Sequence, residues 1–123
     1  VTWQLKWQLR FEAAPLGKRV DGAAWRRGIA MAAQEALLTK RLRQFDGPLA
    51  ISASFRLPRP RSAAKTAKCI TRPGGFDLAR IVDDGLRGII YPSTRGGQIV
   101  RCDIDKRWVD GPGSVLIVIR EVI

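Results

Sequence analysis

The residues best suited to binding or catalysis lie between Arg56 and Tyr91, where a basic segment is followed directly by a helical pattern. Within this basic segment (56–72) every charged residue is positive: Arg56, Arg59, Arg61, Lys65, Lys68 and Arg72. Pro58 and Pro60 favour an extended backbone in its first part. Cationic side chains along an extended chain are suited to phosphate contacts that do not depend on base sequence. We therefore expect the basic segment to bind a polyanion.

The helical pattern that follows carries carboxylates beside this basic segment. Apolar residues recur at helical spacing on one face: Leu78, Ile81, Val82, Leu86 and Ile89. The opposite face carries charged residues: Asp77, Arg80, Asp83, Asp84 and Arg87. Because carboxylates hold Mg²⁺ for phosphodiester hydrolysis, Asp77 together with Asp84 or Asp83 could form a metal site on this face. The alternative is a set of solvated ion pairs, since several of these charges lie four residues apart.

Composition limits the classes of protein to which the chain can belong. Its 123 residues suit one domain, 1–123, with a sizeable core. Lys and Arg number 22 against 11 acidic residues, and the net charge of +11 favours an anionic partner, first of all nucleic acid. No apolar run approaches the roughly 20 residues that cross a bilayer, and no secretory signal pattern opens the chain. We expect a soluble, cytoplasmic protein without a membrane partner.

Metal chemistry based on nitrogen or sulfur ligands is not expected. The chain has no histidine, and its two cysteines, Cys69 and Cys102, are far apart in the sequence. Neither a zinc site nor a Cys/His nucleophile can be assembled from these residues. Reduced thiols are the simplest interpretation.

The elements that position the charged residues follow from periodicity. Strict alternation predicts strands at 1–11 and 49–57. Asp21 is placed to cap a long helix from Ala23 to about Phe45. The second helix is predicted at about 77–89.

Two further strands are predicted after this helix, at 98–109 and 114–123. In the first of them one face should carry the apolar residues Val100, Cys102, Ile104 and Trp108. The DGPG turn at 110–113 predicts that the two strands form an antiparallel hairpin. The order strand, helix, strand, helix, strand, strand indicates an α+β fold, a mixed four-stranded sheet covered by two helices.

Motifs in this order resemble the RusA family of Holliday-junction resolvases. They are FRLPRPRS at 55–62, Arg-Pro before a helix reading L-A-R-x-x-x-D-x-L at 78–86, and QIV at 98–100, opening a strand that ends KRW before DGPG. The resemblance runs from about Ile51 to the end, and more loosely includes the PLGKRV loop at 15–20. It implies a RusA-like fold and a homodimeric, Mg²⁺-dependent endonuclease of recombination and repair, often found in prophages, that nicks four-way junctions symmetrically.

The catalytic motif of that family is absent from the aligned positions. Where RusA-like enzymes carry D-L-D before the helix, positions 74–76 hold Gly-Gly-Phe. Where they carry D-D before the Q-V-V strand, positions 95–96 hold Arg-Gly. None of these side chains supplies a carboxylate for a metal ion. Arg80 and Asp84 do match a basic and an acidic position of the family.

Three functions from different classes follow. The preferred one is a RusA-like protein that binds branched DNA through the basic segment and has a degenerate endonuclease centre without a metal. The second is an active Mg²⁺-dependent endonuclease that uses Asp77, Arg80 and Asp84. The third is a non-catalytic module that binds RNA or an acidic protein. The predicted nucleic-acid contacts are Lys18, Arg19, Arg59, Arg61, Lys65, Lys68 and Arg72.

Overall fold

The structure, a computed structural model, describes residues 5–61, 73–92 and 96–122. Its elements are β1 (Leu5–Ala13), α1 (Gly22–Lys40), β2 (Leu49–Pro58), α2 (Gly75–Leu86), β3 (Ile99–Val109) and β4 (Ser114–Val122). A short 3-10 turn, Gly96–Gln98, precedes β3. The prediction of an α+β fold with a mixed four-stranded sheet and two helices is confirmed. No helix in these ranges is both long and apolar enough to cross a membrane.

The strands lie in the order β1-β4-β2-β3, with β2 parallel to β3 and β4 antiparallel to both β1 and β2. The predicted hairpin between 98–109 and 114–123 is therefore wrong, because β2 lies between β3 and β4. The reason is burial. On the helix-covered face of the sheet β2 and β4 bury nearly every second residue, which suits interior strands, whereas β3 is charged and largely exposed and lies at an edge.

The turn after β3 passes over the end of β2 to reach β4. A Cβ atom placed on Gly113 would lie 3.0 Å from Pro58 Cδ and 3.2 Å from the carbonyl oxygen of Arg56. Glycine therefore allows the backbone of this turn to approach the end of β2 closely.

Both helices are shorter at their carboxyl ends than periodicity predicts. Asp21 caps α1 as expected, but the helix ends at Lys40, where Arg41 adopts a left-handed conformation with φ of 54°. The chain then turns to bury Phe45, whose N–H donates to the carbonyl of Ile90 at 2.8 Å. Burial of Phe45 as part of the core thus overrides the helical propensity of residues 41–45.

The second helix is displaced towards the amino terminus relative to the predicted 77–89. It runs from Gly75 to Leu86, and Gly88 has a positive φ of 85° that reverses the chain. Ile90 and Tyr91 beyond this reversal are fully buried.

The two helices pack side by side, run in the same direction and cover one face of the sheet. A Cβ atom on Gly85 of α2 would lie 2.8 Å from Ile29 Cγ2 of α1, so the glycine permits close helix contact. Trp25 of α1 packs edge to face on Phe55 of β2, with ring centroids 5.3 Å apart. The opposite face of the sheet is not covered by either helix.

The predicted apolar face of β3 is only half correct. Ile104 and Trp108 pack against the core, whereas Val100 and Cys102 are exposed. The register shifts at the start of the strand, where Ile99 pairs with Leu49 and the following pair skips Val100. This irregularity takes Val100 out of the alternation. Cys102 pairs with Ile51 on the same face as Ile104 but is exposed.

Candidate nucleic-acid interface

One end of the sheet brings together the segments that carry the predicted phosphate contacts. β2 ends there and continues into the basic segment, α2 begins there after Pro73, and the loop before α1 lies alongside. All three segments line an open cleft of about 330 Å³, to which Val20, Pro60 and Pro73 contribute. Lys18 and Arg19 of the loop are therefore neighbours of the start of the basic segment.

Cations dominate this end of the molecule, which we call the basic end. It carries the following exposed or partly exposed cations: Lys18, Arg19, Arg56, Arg61, Arg80 and Arg107. Arg56 and Arg107 are partners in the register of β2 and β3, on the open face of the sheet. The positive ends of both helix dipoles point the same way, since α1 and α2 both begin here.

The carboxylates at the basic end form hydrogen bonds or ion pairs with other groups of the chain. Among the described residues they belong to Asp21, Asp77, Asp105 and Asp110. Asp105, two residues before Arg107, accepts a hydrogen bond from the hydroxyl group of Ser54 at 2.9 Å. Asp21 accepts a hydrogen bond from the N–H of Ala24 at 2.9 Å, which lowers the pKa of its carboxyl group below the usual value. Asp77 accepts from the N–H of Gly74 at 3.3 Å, and Asp110 pairs with an arginine. These carboxylates stabilise local structure and leave the surrounding cations without acidic partners from this set.

That arginine is Arg59, one of the predicted phosphate contacts. Its guanidinium group pairs with Asp110, its side chain is only 18% exposed, and its N–H donates to the carbonyl of Val109 at 3.0 Å. Arg59 therefore ties the end of β2 to the turn that follows β3. Lys18, Arg19 and Arg61 are exposed. The remaining predicted contacts lie outside the described residues: Lys65, Lys68 and Arg72.

The start of α2 is held against β3. The ammonium group of Lys106 donates to the carbonyl oxygen of Pro73 at 2.9 Å, and Leu78 in the first turn is fully buried. The backbone of residues 74–77, between Pro73 and Leu78, is therefore held in place at the basic end.

The candidate catalytic residues do not converge. Asp77 and Asp84 are seven residues apart on α2, which places them about 10 Å apart along the helix axis. One Mg²⁺ ion, with ligands at about 2.1 Å, cannot be shared across that distance. Asp84 lies 3.6 Å from the guanidinium group of Arg87, and Arg80 is exposed between the two acids. Within the described ranges no three acidic or cysteine side chains are grouped as metal ligands.

Asp83, next to Asp84, belongs to a structural cluster at the other end of α2. Its carboxylate accepts hydrogen bonds from Arg87, as the spacing of four residues predicts, and from the hydroxyl group of Tyr91. Burial, reinforced by the bond to Asp83, raises the pKa of Tyr91 well above its usual range. The hydrogen bond to Asp83 also raises the pKa of Arg87. The contacts of Asp83 with Arg87 and Tyr91 therefore stabilise the chain reversal after α2.

The two segments aligned with the family's metal ligands are also far apart. Residues 74–76 lie beside Lys106, near the end of β3, whereas Gly96 directly precedes its start. The strand from Ile99 to Lys106 spans about 23 Å. Positions this far apart on one chain cannot have held the same metal ion, so the structure gives no support to aligning both segments with the ligands of one metal centre.

Sequence periodicity missed two features of the basic end. It placed Arg107 on a polar strand face, but the pairing with Arg56 depends on strand order, which the sequence pattern did not reveal. The comparison with the D-L-D motif considered Phe76 only as a residue in place of a metal ligand, whereas the structure shows that the ring is 96% exposed at the start of α2. An aromatic residue next to two glycines and a basic segment was the available signal.

Comparison with known proteins does not assign the chain to a family. No protein-family model matches it, and a search of curated proteins finds no significant match. Its function must be inferred from the sequence motifs and from the basic end.

Proposed function

We propose that this chain is a RusA-like protein that binds branched DNA, such as a Holliday junction, through the basic end, and that its endonuclease centre is degenerate. The observation that carries the proposal is the imbalance of charge at that end. Lys18, Arg19 and Arg61 are exposed, Arg56 and Arg107 lie at the same end on the open face of the sheet, and the acids there have partners within the chain. Such a surface binds phosphates electrostatically, without reading base sequence.

Shape rather than base sequence is the feature that such a surface can recognise. The cations come from the loop before α1, from the start of the basic segment and from the end of the sheet, so they face more than one direction. A branched duplex presents backbones in several directions and matches this arrangement better than one linear duplex does. The proposal includes a homodimer, in which two basic ends would contact opposite arms of a junction, and a cytoplasmic location, where such DNA is accessible.

Loss of nuclease activity is supported by the residues at the start of α2. Gly74, Gly75 and Phe76 offer no side-chain oxygen. Asp77 and Asp84 are too far apart along α2 to replace the missing ligands on one ion.

A competition experiment at fixed salt concentration tests the proposal. A labelled four-way junction bound to the protein is challenged with unlabelled junction, linear duplex of the same sequence, or structured RNA. We expect the junction to compete best. Equal competition by duplex or RNA would contradict the proposal, and RNA as the best competitor would indicate an RNA-binding module.

The surface responsible can be tested with matched charge variants. Replacing Lys18, Arg19 and Arg61 by Gln should weaken junction binding and lower the slope of log affinity against log salt by about 3. The control replaces cations outside the basic end by Gln, with the same change in net charge: Lys40, Arg43 and Arg101. An equal effect of both variants would show that total charge, not the basic end, determines binding.

A further inference from the structure

Phe76 is exposed to an extent that its role in the fold does not explain. Its side chain is 96% exposed, compared with 74% for Leu38, the next most exposed large hydrophobic residue in the described chain. Gly74 and Gly75 precede it, and a Cβ atom on Gly75 would have no neighbour within 4 Å. The phenyl ring therefore projects from the first turn of α2 with open space beside it. It adds almost nothing to the core.

The backbone that carries the ring is nevertheless held in a defined position. Leu78, two residues later, is fully buried, and Lys106 anchors the backbone just before the helix at Pro73. A ligand that contacts Phe76 would not have to order a mobile segment first, which lowers the entropic cost of binding.

The charges around the ring favour one part of a nucleic acid over another. Arg80 lies four residues further along the helix, on the same side as Phe76, and is exposed. Asp77 is the next residue along the chain, and its carboxylate, which accepts from the N–H of Gly74, disfavours a phosphate in this first turn of the helix. An uncharged base has no such penalty, and its π face can stack on a phenyl ring.

We propose that Phe76 is a stacking platform for an unpaired or unstacked nucleobase of bound DNA, with Arg80 contacting the phosphate next to that base. This inference rests on the proposed DNA-binding function and adds a contact to it. In an open junction, where the arms are not stacked end to end, the base pair at the end of each arm has one unstacked face, so the branch point offers such bases. A continuous linear duplex does not.

The test compares Phe76→Ala with the parent protein on a four-way junction and on a linear duplex, over a range of salt concentrations. We expect the alanine variant to bind the junction about 10-fold more weakly. The factor should be the same at every salt concentration because no charge is removed. Binding to the duplex should change little, and Phe76→Tyr, which keeps an aromatic ring, should retain junction affinity.

Leu38→Ala is the matched control, since it removes another exposed hydrophobic side chain from a helix outside the basic end. Junction affinity of Phe76→Ala equal to that of the parent, or an equal loss on junction and duplex, would overturn the stacking role while leaving the proposed function intact. A parent protein that binds neither DNA would overturn both. Thermal unfolding of Phe76→Ala should match that of the parent because the ring is not packed.

Discussion

Arg56 of β2 and Arg107 of β3 lie side by side on neighbouring parallel strands, on the sheet face that neither helix covers. Adjacent strands are about 4.8 Å apart, and like charges opposite one another on neighbouring strands are unfavourable. Under the proposed function, a phosphate that contacts both guanidinium groups would compensate for this.

Replacing Arg107 by Gln should therefore weaken DNA binding without lowering the stability of the fold. We expect the free energy of unfolding to stay constant or rise by up to about 0.5 kcal/mol, because a like-charge pair is removed. Junction binding should weaken, with the salt slope reduced by about 1 for the lost phosphate contact. Urea denaturation and salt-dependent binding titrations measure the two effects.

Arg101→Gln is the control for this prediction. It removes the same charge from the same strand, but Arg101 lies about 20 Å from Arg107 and pairs with Asp103 at 2.9 Å. Its junction affinity should stay close to that of the parent. Identical salt slopes for the two variants would show that Arg107 makes no specific phosphate contact.

Gly28→Ala should severely destabilise the fold. A Cβ atom at this position would lie 1.8 Å from the carbonyl oxygen of Ala14, so α1 would have to move away from the chain that follows β1. We expect a loss of about 3 kcal/mol or more in the free energy of unfolding, measured by chemical denaturation. Gly75→Ala, whose Cβ would enter open space, should leave stability unchanged or slightly higher. A Gly28→Ala protein as stable as Gly75→Ala would contradict the packing of α1 described above.

Tyr91→Phe should lower stability without affecting DNA binding. The substitution keeps the buried ring and removes the hydroxyl group that donates to Asp83. We expect a decrease of about 1 to 2 kcal/mol in the free energy of unfolding, since the lost hydrogen bond has a charged acceptor. Tyr91 lies at the far end of α2 from the basic end, so junction affinity should be unchanged. A marked loss of affinity would place the Asp83 cluster within the DNA-binding surface.

Asp21 should make the stability of α1 depend on pH in the acid range. Its carboxyl pKa is below the ordinary value of 3.8 in the folded chain because the carboxylate accepts a hydrogen bond from the N–H of Ala24. A lowered folded pKa gives stability that is present above the unfolded pKa and is lost as pH falls through the folded value.

Asp21→Asn separates this titration from the capping hydrogen bond, because the amide oxygen can still accept from Ala24. The parent should have the higher melting temperature at neutral pH, and its advantage should disappear in acid below the folded pKa. A constant difference across that range would show that the protonation of Asp21 does not contribute to stability.

The sequence predicted the elements and fold class but not the strand order. Alternation in 49–57 and helical spacing in 78–86 depend on local burial, which periodicity reports directly. The neighbours of β3 depend on which strands occupy the interior of the sheet under the helices. Strands that are distant in sequence compete for these interior positions. The helix end at Lys40 was missed for a similar reason, because the burial of Phe45 is a tertiary effect.

The candidate site was predictable as a set of charges rather than as a surface. The sequence identified Lys18, Arg19 and Arg61 as cations, and the cleft lined by Val20 and Pro60 shows that their segments meet at one end of the sheet. It gave no means of knowing that Arg59 is paired with Asp110, since that contact joins residues 51 positions apart in sequence. The separation of Asp77 from Asp84 was implicit in helical geometry once α2 was confirmed.

The most direct test is a gel assay of the purified protein with a labelled four-way junction and a matched linear duplex, with and without Mg²⁺ or Mn²⁺. We expect a retarded complex with the junction, weaker retardation of the duplex, and intact strands under all metal conditions when the products are denatured. Symmetric nicks that require a metal would show that the remaining carboxylates form a nuclease centre. Equal or absent retardation of the two DNAs would contradict the junction-binding function itself.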